Sequence, residues 1–377
     1  MKSMDIVTST ELYEKRFLAR HTQIVQADLY KKYNDMASDP FLFFRATAYQ
    51  RICRFPVVCP RLFTLPKVLA VIDLHVDNYG TYRDHEGRLI WAINDFDEVF
   101  LYSFAVDLVH LAASVKFAIE SGRLGIGFGK ACRMILEGYS ESLACGGRPF
   151  VLQEEHQELR AMAVARLKDP VAFFDKLKAQ TTRMQTIPDV ADSALKTLFP
   201  LPDMQYKAFQ RTAGEGSLGR QRFVALSELS GGLIAREVKA ALPSCALFAE
   251  GKYDGPLYYT QMLDNAVRAR DPFLKVVDKF IARRLAPDCS RIELTSLPKD
   301  RDEALLLWSM GFDAGNHHLG SKEAIPAVQK ALGKLKDNWL RDNALAMQQD
   351  NLGDFKVWRK HWKNNPRKDL IAANSQS

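Results

Sequence analysis

Two short apolar runs, each ending in a group of acidic and amide residues, constrain this chain more than any other feature. Residues 67–75, KVLAVIDLH, are apolar and β-branched in the manner of a strand, and the run closes on Asp73, His75, Asp77 and Asn78. After Tyr79 to Arg83 and the turn-forming DHEG at 84–87 comes a second run, LIWAIN at 89–94, which closes on Asp95, Phe96, Asp97 and Glu98. One hairpin-like unit therefore carries two acidic clusters. The next segment, SFAVDLVHLAASVKFAIESG, has apolar residues at helical spacing and stops at Gly122, so a helix is expected to pack beneath the hairpin.

The remainder reads as a mixture of helices and strands. Residues 11–55 are expected to be mostly helical, with a break at Asp39-Pro40 before the aromatic run FLFF. Residues 123–200 look helical with charged faces, and Pro200 and Pro202 mark a boundary. A second module opens with the glycine-rich GEGSLG at 214–219, succeeded by the strand candidate RFVALSEL, a Ser230-Gly231-Gly232 turn and a second strand candidate, LIAREVKAAL. Residues 258–285 are expected as amphipathic helix, RIELTSL at 291–297 as a short strand, and the rest as helix up to a basic tail at 356–368. The division is then 1–200, 201–300 and 301–377, in an α+β protein.

At 377 residues and 47% hydrophobic content the chain can bury a large core. Lysine and arginine exceed aspartate and glutamate by 52 − 45 = 7, which suits a phosphate-bearing ligand but falls short of a nucleic-acid signature. No apolar stretch nears the roughly 20 residues that a spanning helix needs, and the N-terminus is charged where a signal peptide is apolar. A cytoplasmic protein without a membrane partner is expected. Six scattered cysteines without close pairs read as reduced thiols rather than metal ligands or disulfides.

Phosphoryl transfer needs a carboxylate to orient the attacking hydroxyl, side chains for magnesium, a backbone cradle for phosphates and a lysine. Each has a candidate here. Asp73 and Asn78 stand five residues apart, the spacing of a catalytic aspartate and a metal-binding asparagine. Asp95-Phe96 stands at the end of the next strand, where a second metal ligand belongs, although Asp97 replaces the usual glycine. Gly214, Gly216 and Gly219 form G-x-G-x-x-G, with Ser217 at the tip. The residues after Gly219 read as strand-turn-strand rather than as the helix of a dinucleotide fold. Lys239 lies 239 − 219 = 20 residues on, on the second strand candidate, where a phosphate-pairing lysine belongs.

The motif order is inverted relative to a kinase, and circular permutation of a two-lobed kinase-like fold reconciles it. The loop Asp73-x-His75-x-x-Asn78 resembles that of aminoglycoside phosphotransferase-type kinases. The chain as a whole resembles the bacterial domain of unknown function 2252 family, in DPFLFFRATA at 39–48, VIDLHVDNYG at 71–80, INDFDE at 93–98, VDLVHLAAS at 106–114, GEGSLGRQRFVAL at 214–226 and REVKAA at 236–241. The resemblance implies an ATP and Mg2+ site: Asp73 catalytic, Asn78 and Asp95 on the metal, Lys239 on the phosphates. The acceptor is left open. Two departures from the family pattern concern backbone geometry, Ile72 where glycine precedes the aspartate and Ala46 where glycine comes after Arg45.

Bland readings compete at several positions. Asp107, a charge inside an apolar helix, is expected to hold the catalytic-loop backbone rather than lie on an exposed face. His75 is expected to orient the loop rather than bind metal. Asp97 and Glu98 suit either a second magnesium or a solvated turn. Ser217 suits either a phosphate or the turn itself, and Arg45 either the acidic site or a structural carboxylate. His317 and His318 suit a helix end. No glutamate partner for Lys239 is evident, since the 258–271 segment offers Gln261, Asp264 and Asp271 only. That gap sustains a nucleotide-binding pseudoenzyme as the alternative. A nucleic-acid-associated protein built on the tail with Trp358 and Trp362 is the second.

Overall fold

The computed structural model describes residues 4–152, 156–164, 169–289, 291, 294 and 301–367. Residues 6–63 form successive helices, as the periodicity predicts over 11–55. Asp39 ends helix Gln26–Ser38 and caps the next, Pro40–Ala46, its carboxylate accepting from Phe41 N at 2.8 Å and Leu42 N at 2.9 Å. The Asp-Pro break is thus an N-cap with proline at the first helical position.

Five short strands come next: β1 (Lys67–Ala70), β2 (Tyr79–Arg83), β3 (Leu89–Ile93), β4 (Phe100–Ser103) and β5 (Phe150–Val151). β2 and β3 form the expected hairpin, with Tyr79 opposite Ile93, and β5 joins on the outer side of β3. β1 pairs instead with β4, an antiparallel strand that the sequence does not announce because FLYS is too short to show a period. Helix Ala105–Glu120 is almost wholly buried beneath these strands.

Besides the β1-β4 and β2-β3-β5 sheets there is a third, six-stranded and antiparallel, in the order β10-β11-β9-β8-β7-β6. Its members are β6 (Thr181–Arg183), β7 (Lys207–Arg211), β8 (Arg222–Leu229), β9 (Gly232–Ala240), β10 (Lys275–Val277) and β11 (Phe280–Leu285). The glycine-rich segment connects β7 to β8, and Lys239 lies on β9, the third strand of that run. The 258–285 helix is corrected: only Tyr259–Asn265 is helical, and β10 and β11 form a hairpin turning at Asp278, whose φ is +50°. Pro272 and the β-branched Val276-Val277 pair outweigh the helical spacing there. Residues 123–200 are likewise not wholly helical, since β5 and β6 interrupt them. Most of the 291–297 strand lies outside the described residues; Arg291 bridges to Gly80.

The C-terminal helices return to the N-terminal half. Helix Glu303–His318 packs on helix Phe128–Cys145 so closely that a Cβ on Gly311 would sit 2.0 Å from the Ile135 carbonyl oxygen. Helix Trp339–Asn364 runs over helix Ala105–Glu120. Trp358 and Trp362, the aromatics of the basic tail, are buried against Tyr33; their Nε1 atoms donate to Tyr33 O at 3.3 Å and Asn34 Oδ1 at 2.9 Å. One hydrophobic core extends from Ile6 to Trp362. No helix among the described residues is long and apolar enough to cross a membrane.

Candidate active site

The chain leaves β1 through a tight bend at Ile72, whose φ is +69°, with Asp73 N donating to Val71 O at 2.8 Å. A bond from residue i+2 to i across a positive φ is a γ-turn, a strained choice for a β-branched residue. Asp107 holds it: its carboxylate accepts from Val71 N at 2.6 Å and Ile72 N at 2.7 Å. His318 Nε2 lies 2.8 Å from the same carboxylate, and its Nδ1 lies 2.9 Å from the Tyr139 hydroxyl. The Ile72 carbonyl accepts from His110 Nδ1 at 2.8 Å. His318 is therefore a buried brace of the loop, and His317 is a second buried side chain, its Nδ1 2.8 Å from Asp313 O.

Beyond the bend a single turn of 3-10 helix, Val76–Asn78, is closed at both ends. His75 Nδ1 accepts from Asp77 N at 3.2 Å, and Asn78 Oδ1 accepts from His75 N at 2.8 Å. Burial, with Arg45 and Arg291 nearby, pushes the His75 imidazole well below its ordinary pKa, so it stays neutral and serves the loop backbone. Asn78 Nδ2 donates to Asp95 O at 3.1 Å, tying the two acidic clusters together.

Asp73, 17% exposed, is ion-paired to Arg51, a residue that sequence reasoning missed. Arg51 is itself buried, its guanidinium 3.9 Å from the Phe44 ring centroid. Burial raises the Asp73 carboxyl to about 7; Arg51 opposes the rise, and Glu98 and Asp95 add to it. The Arg51 helix, Ala48–Val58, also carries Gln50 and Arg54, so no isolated charge singles Arg51 out in the sequence. Arg45 settles on Asp77, Nη1 to Oδ2 at 3.2 Å.

Lys239 reaches across to two of the three acidic residues of the second cluster. Its Nζ is hydrogen-bonded to Asp97 Oδ2 and lies 3.5 Å from Asp95 Oδ1. The carboxylate partner that the 258–271 segment does not supply is thus Asp97, from 142 residues away. Burial acts to raise Asp95, but Lys239, Arg291 and Arg283 outweigh it and hold the carboxyl below its ordinary value. Burial and the Asp95 charge together raise Asp97. Glu98 is committed elsewhere: it pairs with Arg220 and accepts from Cys245 N at 2.6 Å, docking the Cys245–Ala249 helix.

Gly214, Gly216 and Ser217 line the same narrow cleft as Asp73, His75, Asn78, Asp95 and Asp97. A Cβ on Gly216 would stand 3.2 Å from Arg45 O and 3.3 Å from Asp73 Oδ2, so the loop rests directly on the acidic residues. Gly219 does not reach the cleft: it packs on Leu29, and its carbonyl accepts from Val25 N at 3.0 Å. The cleft holds about 30 Å³, room for roughly one water. Among the described residues no three His, Cys, Asp or Glu side chains form a ready metal cage. Asp95 with Asn78 offers the sparse donor set that suits magnesium shared with phosphates.

Residues 24–172 match a family model described as "Uncharacterized protein conserved in bacteria (DUF2252)". The matched span carries both acidic clusters and ends before the glycine-rich loop, so the resemblance at 214–226 and 236–241 lies outside it. No curated protein and no solved structure matches the chain. Over residues 24–172 the chain is therefore similar to an uncharacterised bacterial family.

Proposed function

We propose that the chain is a circularly permuted, kinase-like phosphotransferase that uses ATP and Mg2+. The observation that carries the reading is convergence: Lys239 stands within hydrogen-bonding range of Asp95 and Asp97, and the glycine loop lines the same cleft as the acidic residues at 73–97. A strand before the loop, a strand after it and a lysine on the third strand match the parts and placement that phosphoryl transfer uses. ATP with Mg2+ supplies the transferable phosphoryl group when bound. Asp73, with its carboxyl at about 7, orients the acceptor hydroxyl and takes its proton as the new O–P bond forms and the bond to the ADP leaving group breaks. Asp95 and Asn78 would hold the metal, Asn78 through the remaining lone pair of an Oδ1 that already accepts from His75 N, and Lys239 would exchange Asp97 for the phosphates. The loop at 214–219 must lift from Asp73 to admit them.

A carboxylate within reach of Lys239 disfavours the pseudoenzyme alternative, and the burial of Trp358 and Trp362 removes the stacking surfaces that a nucleic-acid reading needs. The test is phosphate release from ATP with water as acceptor. Release should require magnesium and fall about 100-fold or more in Asp73→Asn. Release that is equal in the variant and the wild type would refute Asp73 as base. Magnesium-dependent ATP binding without any turnover would favour the pseudoenzyme.

A further inference from the structure

The inner face of the six-stranded sheet carries a second constellation that phosphoryl transfer at Asp95 does not use. Glu237 stands two residues before Lys239 on β9, so both side chains leave the same face. Glu237 is fully buried, and arginines from three other strands or strand ends converge on it: Arg211 Nη1 at 2.6 Å, Arg222 Nη1 at 2.8 Å and Arg283 Nε at 2.7 Å. Burial opposes the glutamate charge, but the three guanidiniums outweigh it and keep the carboxyl well below its ordinary range. Arg283 also feels the Asp95 charge, so three guanidiniums against these two carboxylates leave one positive charge in excess within the cluster. Most of the roughly fifteen N–H donors of the three arginines are left unused by Glu237.

All three arginines line a cavity of about 440 Å³ that adjoins Asp95 and Gly214. Its described lining holds nine lysine or arginine side chains and four aspartate or glutamate side chains, so the excess extends beyond the cluster. Arg222 Nη2 also donates to Ser217 Oγ at 2.7 Å, which couples the cluster to the glycine loop. Arg211 Nε is buried without a hydrogen-bond partner. A purely structural ion cluster is expected to balance its charges, because a buried charge without compensation is costly. This one is over-cationic on its cavity side. A phosphate group offsets this excess along the lining, and its oxygens fit the planar guanidinium fork.

We infer that this cavity is an anion site for a phosphate-bearing ligand, with Arg211, Arg222 and Arg283 as its binding residues and Glu237 as the brace that holds them in place. The phosphate belongs either to the tail of the nucleotide itself or to a phosphorylated acceptor. The inference goes beyond the phosphotransferase reading and does not need magnesium at Asp95.

The test is calorimetric titration of the full chain with tripolyphosphate in EDTA, for the wild type, Arg283→Gln and Arg211→Gln. Each substitution leaves two guanidiniums on Glu237, and a thermal melt checks the fold. The wild type should bind, and each variant should bind about tenfold to a hundredfold more weakly. Phenylglyoxal labelling of the wild type needs no variant and should spare Arg283 when tripolyphosphate is present. No binding by the wild type, or unchanged affinity in both variants, overturns the inference. Omission of magnesium separates this result from any failure at Asp95. ATP added to the tripolyphosphate-saturated chain then identifies the source, and either answer upholds the site: competition assigns it to the nucleotide, independent binding to a phosphorylated acceptor.

Discussion

Replacing Asp107 tests how the strained bend before Asp73 is held. Three donors converge on this one buried carboxylate: Val71 N at 2.6 Å, Ile72 N at 2.7 Å and His318 Nε2 at 2.8 Å. A hydrogen bond to a charged group contributes about 1.5–3 kcal/mol, and a buried donor left unmade costs about as much as a bond contributes. Asp107→Asn keeps one acceptor oxygen and turns an N–H2 group toward a second donor. It is therefore expected to cost about 3 kcal/mol. Asp107→Ala, which abandons all three donors, is expected to cost about 5 kcal/mol. The bend itself holds roughly 1–3 kcal/mol of backbone strain at Ile72, so the amides of residues 71 and 72 should open first. Urea denaturation measures the loss, and amide hydrogen exchange locates it. A midpoint shift worth less than about 1 kcal/mol for Asp107→Asn, or unchanged protection at Ile72, would refute the clamp.

The same geometry yields three further expected outcomes. The Asp73 carboxyl sits at about 7 in the fold against 3.8 as a free side chain, so the native state holds a proton that the unfolded chain releases. Stability should then fall as pH rises from about 4 to about 7, and Asp73→Asn should flatten that decline by up to about 4 kcal/mol; an unchanged pH profile in the variant contradicts the assignment. Asp313 and Asp354, each raised to about 6 mainly by burial, should sustain the remaining slope. Gly216→Val places branched carbon against Arg45 O and Asp73, and should weaken nucleotide binding about tenfold while changing the melting temperature little; tight binding in that variant argues against loop closure over the site. Gly311→Ala forces a methyl group onto the Ile135 carbonyl and should cost about 3 kcal/mol in denaturant titration, whereas a neutral effect would mean that the two helices separate freely.

The loop chemistry was legible because it is local. Asp73, His75 and Asn78 lie within six residues, and the turn that closes on itself through His75 and Asn78 needs no distant partner. Asp107 was legible because a charge in an apolar helix requires buried donors, and the donors proved to be the bend itself. The positive φ at Ile72 was less so, since only a comparison with the usual glycine marks that position. The partners of Lys239 and Asp73 were out of reach: Asp97 and Arg51 meet them only after the sheets and the N-terminal helices have packed. The β10–β11 hairpin was misread because β10, with three residues, gives no period, while the residues around it happen to fall at helical spacing. The arginine cavity draws on strands spread from Arg211 to Arg283, a grouping that pairing in a sheet creates and that spacing along the chain does not announce.

The central claim is that Asp95 and Lys239 form one nucleotide site from two distant stretches of chain. Calorimetry of ATP binding, with and without magnesium, on the wild type, Asp95→Ala and Lys239→Ala tests it most directly. The account predicts magnesium-dependent binding by the wild type and about tenfold or greater weakening in each variant. Wild-type protein that binds no ATP, or variants that bind as the wild type does, would contradict it.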